Sequence, residues 1–231
     1  MKLYVMRHGQ TSRNKINHVL GRSDLPLDST GFHQADTAGI KLGGVHFDAI
    51  YSSPLKRAYQ TAQAVCRFQT NPAPILVDKR LIEQNFGIFE GIRREDETYQ
   101  AEKKEYFMPF ENGESYLDVA ARVYHFLDDL TKESKKTRRE NILITTHGGI
   151  ARIIEAYFNG LSNDDFRTFF MKNCEVRVYD FPKQKSDRLK ALDEFELEQL
   201  EKSIPELEKE RKEMKSERWI CSGCRPSDSK E

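Results

Sequence analysis

The chain has 231 residues, enough for one large domain or for one domain with an appendage. Its 37 Lys and Arg residues balance 37 Asp and Glu residues, so the overall charge gives no support to nucleic-acid binding. No apolar run reaches the roughly 18 residues of a membrane span or the length of a signal-peptide core, so we expect a cytoplasmic protein that does not bind membranes.

The first predicted strand, Leu3–Met6, runs directly into an Arg-His-Gly turn. A helix is predicted over Thr30–Leu42, capped by Thr or Ser, and a second strand over Ala49–Ser52. After that strand, Ser53 is predicted to cap a helix whose first residue is Pro54. The stripe that this helix is expected to bury consists of Leu55, Ala58, Thr61, Ala62 and Val65.

A third strand is predicted over Ile75–Val77, and Ser115 is predicted to begin a long helix. The inner stripe of that helix consists of Tyr116, Val119, Val123, Phe126, Leu127 and Leu130. A fourth strand, Asn141–Thr146, again ends at a His-Gly pair, and a short helix from Gly149 is predicted to stop near Gly160.

The last predicted strand is Val176–Phe181, so a domain is predicted over residues 1–182. Strands that alternate with helices pair in parallel, and their crossover helices cover both faces of the sheet. The sequence therefore predicts an α/β fold of three layers, α/β/α, around a mostly parallel central sheet.

The composition changes in residues 183–231, which we predict to be a charged helical extension with a break and a cap at Ser203. Its apolar residues are spaced like a short coiled-coil seam, so a homodimer through these helices is a further expectation. The seam comprises Leu197, Leu200, Ile204, Leu207 and Met214. Cys221 and Cys224 have half the spacing of a zinc site, but the extension has no histidine. We therefore expect free thiols, unless a dimer brings two such pairs together.

Two predicted strands each end at a histidine, since His8 follows the first strand and His147 follows the fourth. The carboxyl ends of parallel strands meet at one edge of a sheet, where the ligand sites of α/β proteins gather. Arg7 beside His8 indicates an anionic ligand. Because neutral imidazole is a nucleophile near pH 7, the pair predicts phosphoryl transfer. The alternative interpretation is two unrelated histidines at turns.

The segment Arg7–Asn14 resembles the Arg-His-Gly signature of the histidine phosphatase superfamily, the group named after cofactor-dependent phosphoglycerate mutase. Further segments are similar to that family in the same order, and together they span residues 1–181. They are Gly21–Asp24, Thr30–Ala35, Tyr51–Ala58, Leu81–Gly91, Asn112–Ser115 and Thr146–Gly149. Each segment is short, but their joint occurrence in this order is specific.

The resemblance implies a role for each matching residue. His8 matches the nucleophile that becomes phosphorylated, and Glu83 matches the general acid that protonates the leaving oxygen and then activates water. Glu90 is the nearby alternative for the acid. The groups that match binding or stabilisation of the phosphoryl group are Arg7, Asn14, Gly21, Arg57, His147 and Gly148. Neither a metal nor a cofactor is implied, because the arginines and histidines supply the charge.

The family contains mutases and phosphatases, which differ in the segment that corresponds to residues 91–113. Mutases carry a long insertion there, rich in Arg, Tyr and Pro, that binds the substrate carboxylate and second phosphate. In this chain the segment is short, and Phe86 stands where mutases have a tyrosine. Four cations in or near it could bind a second anion or lie on a solvated helix, namely Arg93, Arg94, Lys103 and Lys104.

The expected function is therefore that of a metal-independent phosphomonoesterase, which hydrolyses a small phosphorylated metabolite through phosphohistidine at His8. Sugar phosphates, phosphoglycerates, ribazole phosphate and nucleotide-derived esters are candidate substrates. A 2,3-bisphosphoglycerate-dependent phosphoglycerate mutase is the first alternative. A module that binds phosphorylated ligands without turnover is the second.

Overall fold

The structure is a computed structural model that describes residues 1–180. The predicted boundary at residue 182, the helical extension, the homodimer through it and the pair Cys221 and Cys224 all lie outside the described residues. Within residues 1–180, none of the helices is both long enough and apolar enough to cross a membrane.

The strands of the described part form one sheet of five, in the order β3-β2-β4-β1-β5. They are β1 (Lys2–Arg7), β2 (Ala49–Ser52), β3 (Ile75–Val77), β4 (Asn141–Thr146) and β5 (Val176–Asp180). All neighbours are parallel except β1 and β5, which are antiparallel. The five predicted strands and the mostly parallel sheet are therefore confirmed.

Helices cover both faces of the sheet. They are α1 (Ser12–Lys15), α2 (Ser29–Leu42), α3 (Lys56–Cys66), α4 (Glu97–Glu102), α5 (Tyr116–Thr137), α6 (Gly148–Asn159) and α7 (Asn163–Thr168). Because side chains alternate along a strand, Leu3 and Val5 of β1 pack in one core with α5 and α6. Met6, on the opposite face, packs in a second core with α2 and α3. This arrangement confirms the three layers.

Two predicted helix starts are wrong. The N-cap of α2 is Asp28, whose side chain accepts a hydrogen bond from the Gly31 amide, so neither Thr nor Ser caps this helix. Helix α3 begins at Lys56, with Leu55 at the N-cap position and no side-chain cap. Ser53 lies two residues before the N-cap position; its Oγ accepts from the Leu55 amide at 3.3 Å and also lies 2.7 Å from Nε2 of His147, a partner from a distant part of the chain.

Other helix ends follow the sequence signals. Ser115 caps α5 in a reciprocal capping box with Asp118, which confirms the predicted start of this helix. Helix α6 begins at Gly148, one residue before the predicted Gly149, and ends as predicted at Gly160 in the left-handed conformation.

The segment after residue 91 is held by an aromatic cluster. Tyr99 of α4 is fully buried and packs against Phe86, Phe89 and Phe110. Phe86, the position at which the family resemblance implies a tyrosine in mutases, belongs to this cluster. The packing places α4 at the edge of the sheet where β1 and β4 end, since Tyr99 and His8 line the same cavity.

Candidate active site

The sheet brings the two predicted histidines together. In the parallel pair of β1 and β4, Arg7 lies opposite Thr146, so the next residue of each strand is a histidine. The backbone amide of His8 donates to the carbonyl of Thr146 at 2.9 Å. The imidazole centroids of His8 and His147 are 5.1 Å apart, and both rings are buried. Two strand ends thus form one site.

The surroundings of His8 define its tautomer. Nδ1 lies 2.7 Å from the carbonyl oxygen of Gly9, which can only accept, so Nδ1 carries the proton and Nε2 keeps its lone pair. Gly9 is required here because a Cβ would lie 2.5 Å from the carbonyl oxygen of Gly31. Burial, with Arg57 and Arg7 nearby, holds the pKa of His8 well below its ordinary value. The imidazole of His8 is therefore neutral at neutral pH.

His147 is fully buried beside it. Its Nε2 shares a hydrogen bond with Oγ of Ser53, and its Nδ1 has no partner among residues 1–180. Burial, followed by the charge of Arg57, holds the pKa of His147 well below its ordinary value. One ring nitrogen of this second histidine thus remains available to a ligand.

Arg57 is held by backbone carbonyls. Its Nη1 donates to the oxygen of Ser23 and its Nη2 to the oxygen of Gly21, both at 2.7 Å, while its buried Nε has no partner in the described structure. Neutral acceptors orient the guanidinium without cancelling its charge. Burial lowers the pKa of Arg57 to about 10, so it stays cationic at neutral pH.

Arg7 is held in a similar way. Its Nη1 donates to the carbonyl of Met171, and its guanidinium lies over the ring of Phe170, 5.2 Å from the centroid. Its buried Nε has no partner in the described part of the chain. Burial and the charge of Arg94 lower the pKa of Arg7 to about 10, which leaves this side chain cationic.

Asn14, Gly21 and Gly148 line the same cavity as His8. Asn14 accepts from the Thr11 amide through Oδ1, whereas its buried Nδ2 has no partner in the described chain and is free to donate. Gly21 is predicted from the family resemblance to bind phosphate. Its carbonyl accepts a hydrogen bond from Nη2 of Arg57, and its backbone adopts φ +51°. Its structural role is thus to shape the loop that holds Arg57.

Glu83 and Glu90 have different surroundings. The carboxylate of Glu83 faces the cavity and accepts from the amides of Gln84 at 3.0 Å and Gly149 at 3.3 Å. Glu90 instead accepts from the amides of Arg22 and Ser23 and does not line the cavity. Of the two candidates, Glu83 lines the cavity with His8 and Glu90 does not.

The cavity has a volume of about 560 Å³, and its wall carries further cations besides Arg7 and Arg57. Of the four cations that the sequence left open, Arg94 and Lys103 line the cavity, whereas Arg93 and Lys104 do not. Burial, with Arg152 and Arg94, lowers the pKa of Lys103 to about 8.

The sequence analysis missed Arg152 and Arg167, which also line this wall. Arg152 lies one helical turn after Gly148 on α6, so helical spacing could have placed it near the site. It donates to the hydroxyl of Tyr116 and the carbonyl of Phe169, and its buried Nε has no partner in residues 1–180.

Within residues 1–180, no group of three or more His, Cys, Asp or Glu side chains is placed to hold a metal ion. The site suits an anion.

The buried histidines predict a loss of stability at acidic pH. Their pKa values lie well below 6.5 in the folded protein, whereas in the unfolded chain they titrate near 6.5. The unfolded state therefore binds more protons below that pH, and the free energy of unfolding falls as the pH drops from 6.5 towards the folded-state values. Above pH 6.5 the two histidines make their full contribution to the free energy of unfolding. Thermal melts between about pH 7 and pH 5 measure this slope.

The variant His147→Asn should show a shallower decrease in melting temperature over this range. His33→Asn, which removes a surface imidazole, is the matched control and should keep the wild-type slope. An identical slope in wild type and His147→Asn would contradict the assignment of a neutral buried imidazole.

Comparison with known proteins identifies the family. The model of the histidine phosphatase superfamily (branch 1) matches residues 3–194. A 2,3-bisphosphoglycerate-dependent phosphoglycerate mutase of Cytophaga hutchinsonii is 31% identical over 186 residues, which cover 78% of this chain and 87% of that protein. A broad-specificity phosphatase of Saccharomyces cerevisiae is 28% identical, with 79% of this chain and 80% of that protein covered.

A solved structure agrees with this assignment. The native mycobacterial glucosyl-3-phosphoglycerate phosphatase superposes with a TM-score of 0.67 at 26% identity, and the match covers 77% of this chain and 88% of that chain. Its α/β fold is the one described above. Phosphatases and a mutase are thus both among its relatives, and the chain belongs to the histidine phosphatase superfamily.

Proposed function

We propose that the protein is a metal-independent phosphomonoesterase. Nε2 of His8 attacks phosphorus, the ester P–O bond breaks, and Glu83 gives its proton to the leaving oxygen. Water then attacks the phosphohistidine, Glu83 takes a proton from that water, and the N–P bond breaks to release inorganic phosphate. The observation that carries this proposal is the placement of an unprotonated Nε2, two guanidinium groups and one carboxylate around a single cavity.

The charges around His8 support this chemistry. The transferred phosphoryl group carries negative charge on three oxygens, and Arg7 and Arg57 each keep an unpaired buried Nε at the site. Asn14 adds an unpaired Nδ2. These donors are already oriented by protein contacts, so little reorganisation is needed when phosphate binds.

A phosphoglycerate mutase remains the second candidate because of the further cations in the cavity. Arg94, Lys103 and Arg152 line it together with a buried Tyr99 whose hydroxyl has no partner in the described part. Such a lining suits a substrate with a second acidic group, and the relative from Cytophaga hutchinsonii is named as a mutase. Incubation with 3-phosphoglycerate, with and without 2,3-bisphosphoglycerate, separates the two activities by release of inorganic phosphate or by isomerisation.

The variant Glu83→Gln tests the proposed mechanism. An aryl phosphate has a good leaving group, so phosphorylation of His8 should continue, whereas the water of the second step loses its base. We expect kcat to fall by about 10² to 10⁴ and acid-labile phosphate to accumulate on the protein. The measurement is rapid quench with a radiolabelled aryl phosphate in the presence of EDTA.

Glu105→Gln is the matched control, since this exposed glutamate does not line the cavity. It should show wild-type turnover and no trapped phosphate. Complete loss of wild-type activity in EDTA, or acid-stable label in Glu83→Gln, would refute the mechanism.

A further inference from the structure

Two carboxylates behind the cavity are bonded to the backbone segments that carry or hold catalytic groups. We propose that Glu114 and Glu90 are positioning residues, Glu114 for the acid Glu83 and Glu90 for the phosphate-binding Arg57. The inference rests on the proposed function, because it assigns tasks within that reaction. Neither carboxylate lines the cavity, so each acts through another residue.

Glu114 fixes the segment that follows Glu83. Its Oε2 accepts from the amide of Asn85 at 2.9 Å, and its backbone carbonyl accepts from Nε2 of Gln84 at 3.0 Å. In return, its backbone amide donates to the carbonyl of Asn85 at 2.8 Å. The two residues after Glu83 are thus bound at three points by one glutamate.

Arg122 extends this support to Glu83 itself. Its Nε and Nη2 donate to the two carboxylate oxygens of Glu114, at 3.2 and 3.1 Å, and each of these side chains is 17% exposed. The same Nη2 lies 3.3 Å from the carbonyl oxygen of Glu83, and Nη1 donates to the carbonyl of Arg80 at 2.6 Å. Charged, bidentate bonds of this kind hold a backbone more firmly than neutral ones.

Glu90 fixes the loop that holds Arg57. It accepts from the amide of Arg22 at 2.7 Å and from the amide and hydroxyl of Ser23, both at 3.0 Å. The two carbonyls that accept hydrogen bonds from Arg57, those of Gly21 and Ser23, belong to this same loop. A Cβ at Gly21 would lie 2.1 Å from Oε1 of Glu90, so the carboxylate packs directly against the backbone of the loop.

The two supports are joined only weakly. Arg22 reaches Oε1 of Glu114 at 2.8 Å, but the Arg22 side chain is 40% exposed, and exposed ion pairs contribute little. Loss of one support should therefore leave the other intact. This independence gives the two carboxylates separable signatures.

The experiment compares Glu114→Gln with Glu90→Gln in the full chain. Glu114→Gln should lower kcat by about 10- to 100-fold and shift the limb of the pH profile that reports Glu83, with little change in inhibition by inorganic phosphate. Glu90→Gln should raise the inhibition constant of inorganic phosphate by about tenfold, with that pH limb unchanged. A residue that merely stabilised the fold would change neither quantity selectively.

Double variants decide between positioning and general damage. In a Glu83→Gln background, Glu114→Gln should add no further loss of kcat, and in an Arg57→Met background, Glu90→Gln should add no further loss of phosphate affinity. If a glutamine variant fails to fold, a milder change tests the same contact: Arg122→Lys replaces Glu114→Gln, and Ser23→Ala replaces Glu90→Gln. Equal effects of Glu114→Gln and Glu90→Gln on both quantities, or additive double variants, would overturn the proposal.

The closing control separates this proposal from the proposed function. A wild-type protein without turnover would overturn that function, and with it the assignment of Glu114. Calorimetric titration with inorganic phosphate needs no turnover, so the comparison of wild type with Glu90→Gln still decides the Glu90 arm. Equal phosphate affinity in these two proteins would refute that arm.

Discussion

The variant His8→Ala is expected to lose turnover by at least about 10⁴-fold and to take up no acid-labile phosphate. The physical reason is position, because the variant leaves no imidazole where His8 stood. The ring centroid of His147 lies 5.1 Å from that of His8, and its Nε2 is held by Ser53. Initial rates with an aryl phosphate, followed by an alkaline detergent quench and gel filtration of labelled protein, measure both effects.

His46→Ala is the control for this variant, because His46 is a surface imidazole whose side chain is 69% exposed. It should retain wild-type turnover and labelling. Near-UV circular dichroism of His8→Ala confirms that the core is intact, since the lost ring is buried. Labelled phosphate on folded His8→Ala would show that another residue is the nucleophile.

The variant Arg57→Met is expected to reduce kcat/KM by about 10³ to 10⁵, the range found where one arginine neutralises a transferring phosphoryl group. The carbonyls of Gly21 and Ser23 also lose their donor, which should cost about 1 to 3 kcal/mol of stability if they stay buried. Steady-state kinetics and urea unfolding measure the two consequences separately.

Arg57→Lys should rescue this variant only in part, because a single ammonium cannot donate to both carbonyls and to phosphate in the geometry of a guanidinium. Arg67→Met, at the end of the same helix, is the control; Arg67 pairs with Asp36 at the surface and should be replaceable without kinetic loss. Wild-type kcat/KM in Arg57→Met would contradict its proposed contact with phosphate.

The sheet could be predicted because its signals are local. Apolar runs of strand length, separated by amphipathic helices, gave all five strands, and the His-Gly turns after β1 and β4 placed His8 and His147 at one edge. Parallel pairing then brought the rings together with no further information.

The remainder of the site depends on contacts between distant segments, which no local pattern contains. Ser53 has the sequence of a helix cap, yet its hydroxyl bonds to His147, and α3 begins later. The loop at Gly21 supplies a carbonyl to Arg57, a contact that the residue type does not reveal. Arg152 lines the cavity only once α6 is docked.

The strand order has a consequence for how the protein can change. β4 is the central strand and β1 its neighbour, so the backbone that carries both histidines lies in the interior of the sheet. Amides in such strands open to solvent only when the whole domain unfolds, whereas short peripheral helices open locally. If the proposed function holds, substitutions on α4 and α7, which contribute Tyr99 and Arg167 to the cavity lining, should alter which ester binds, while the strand ends before His8 and His147 stay as stable as the fold itself.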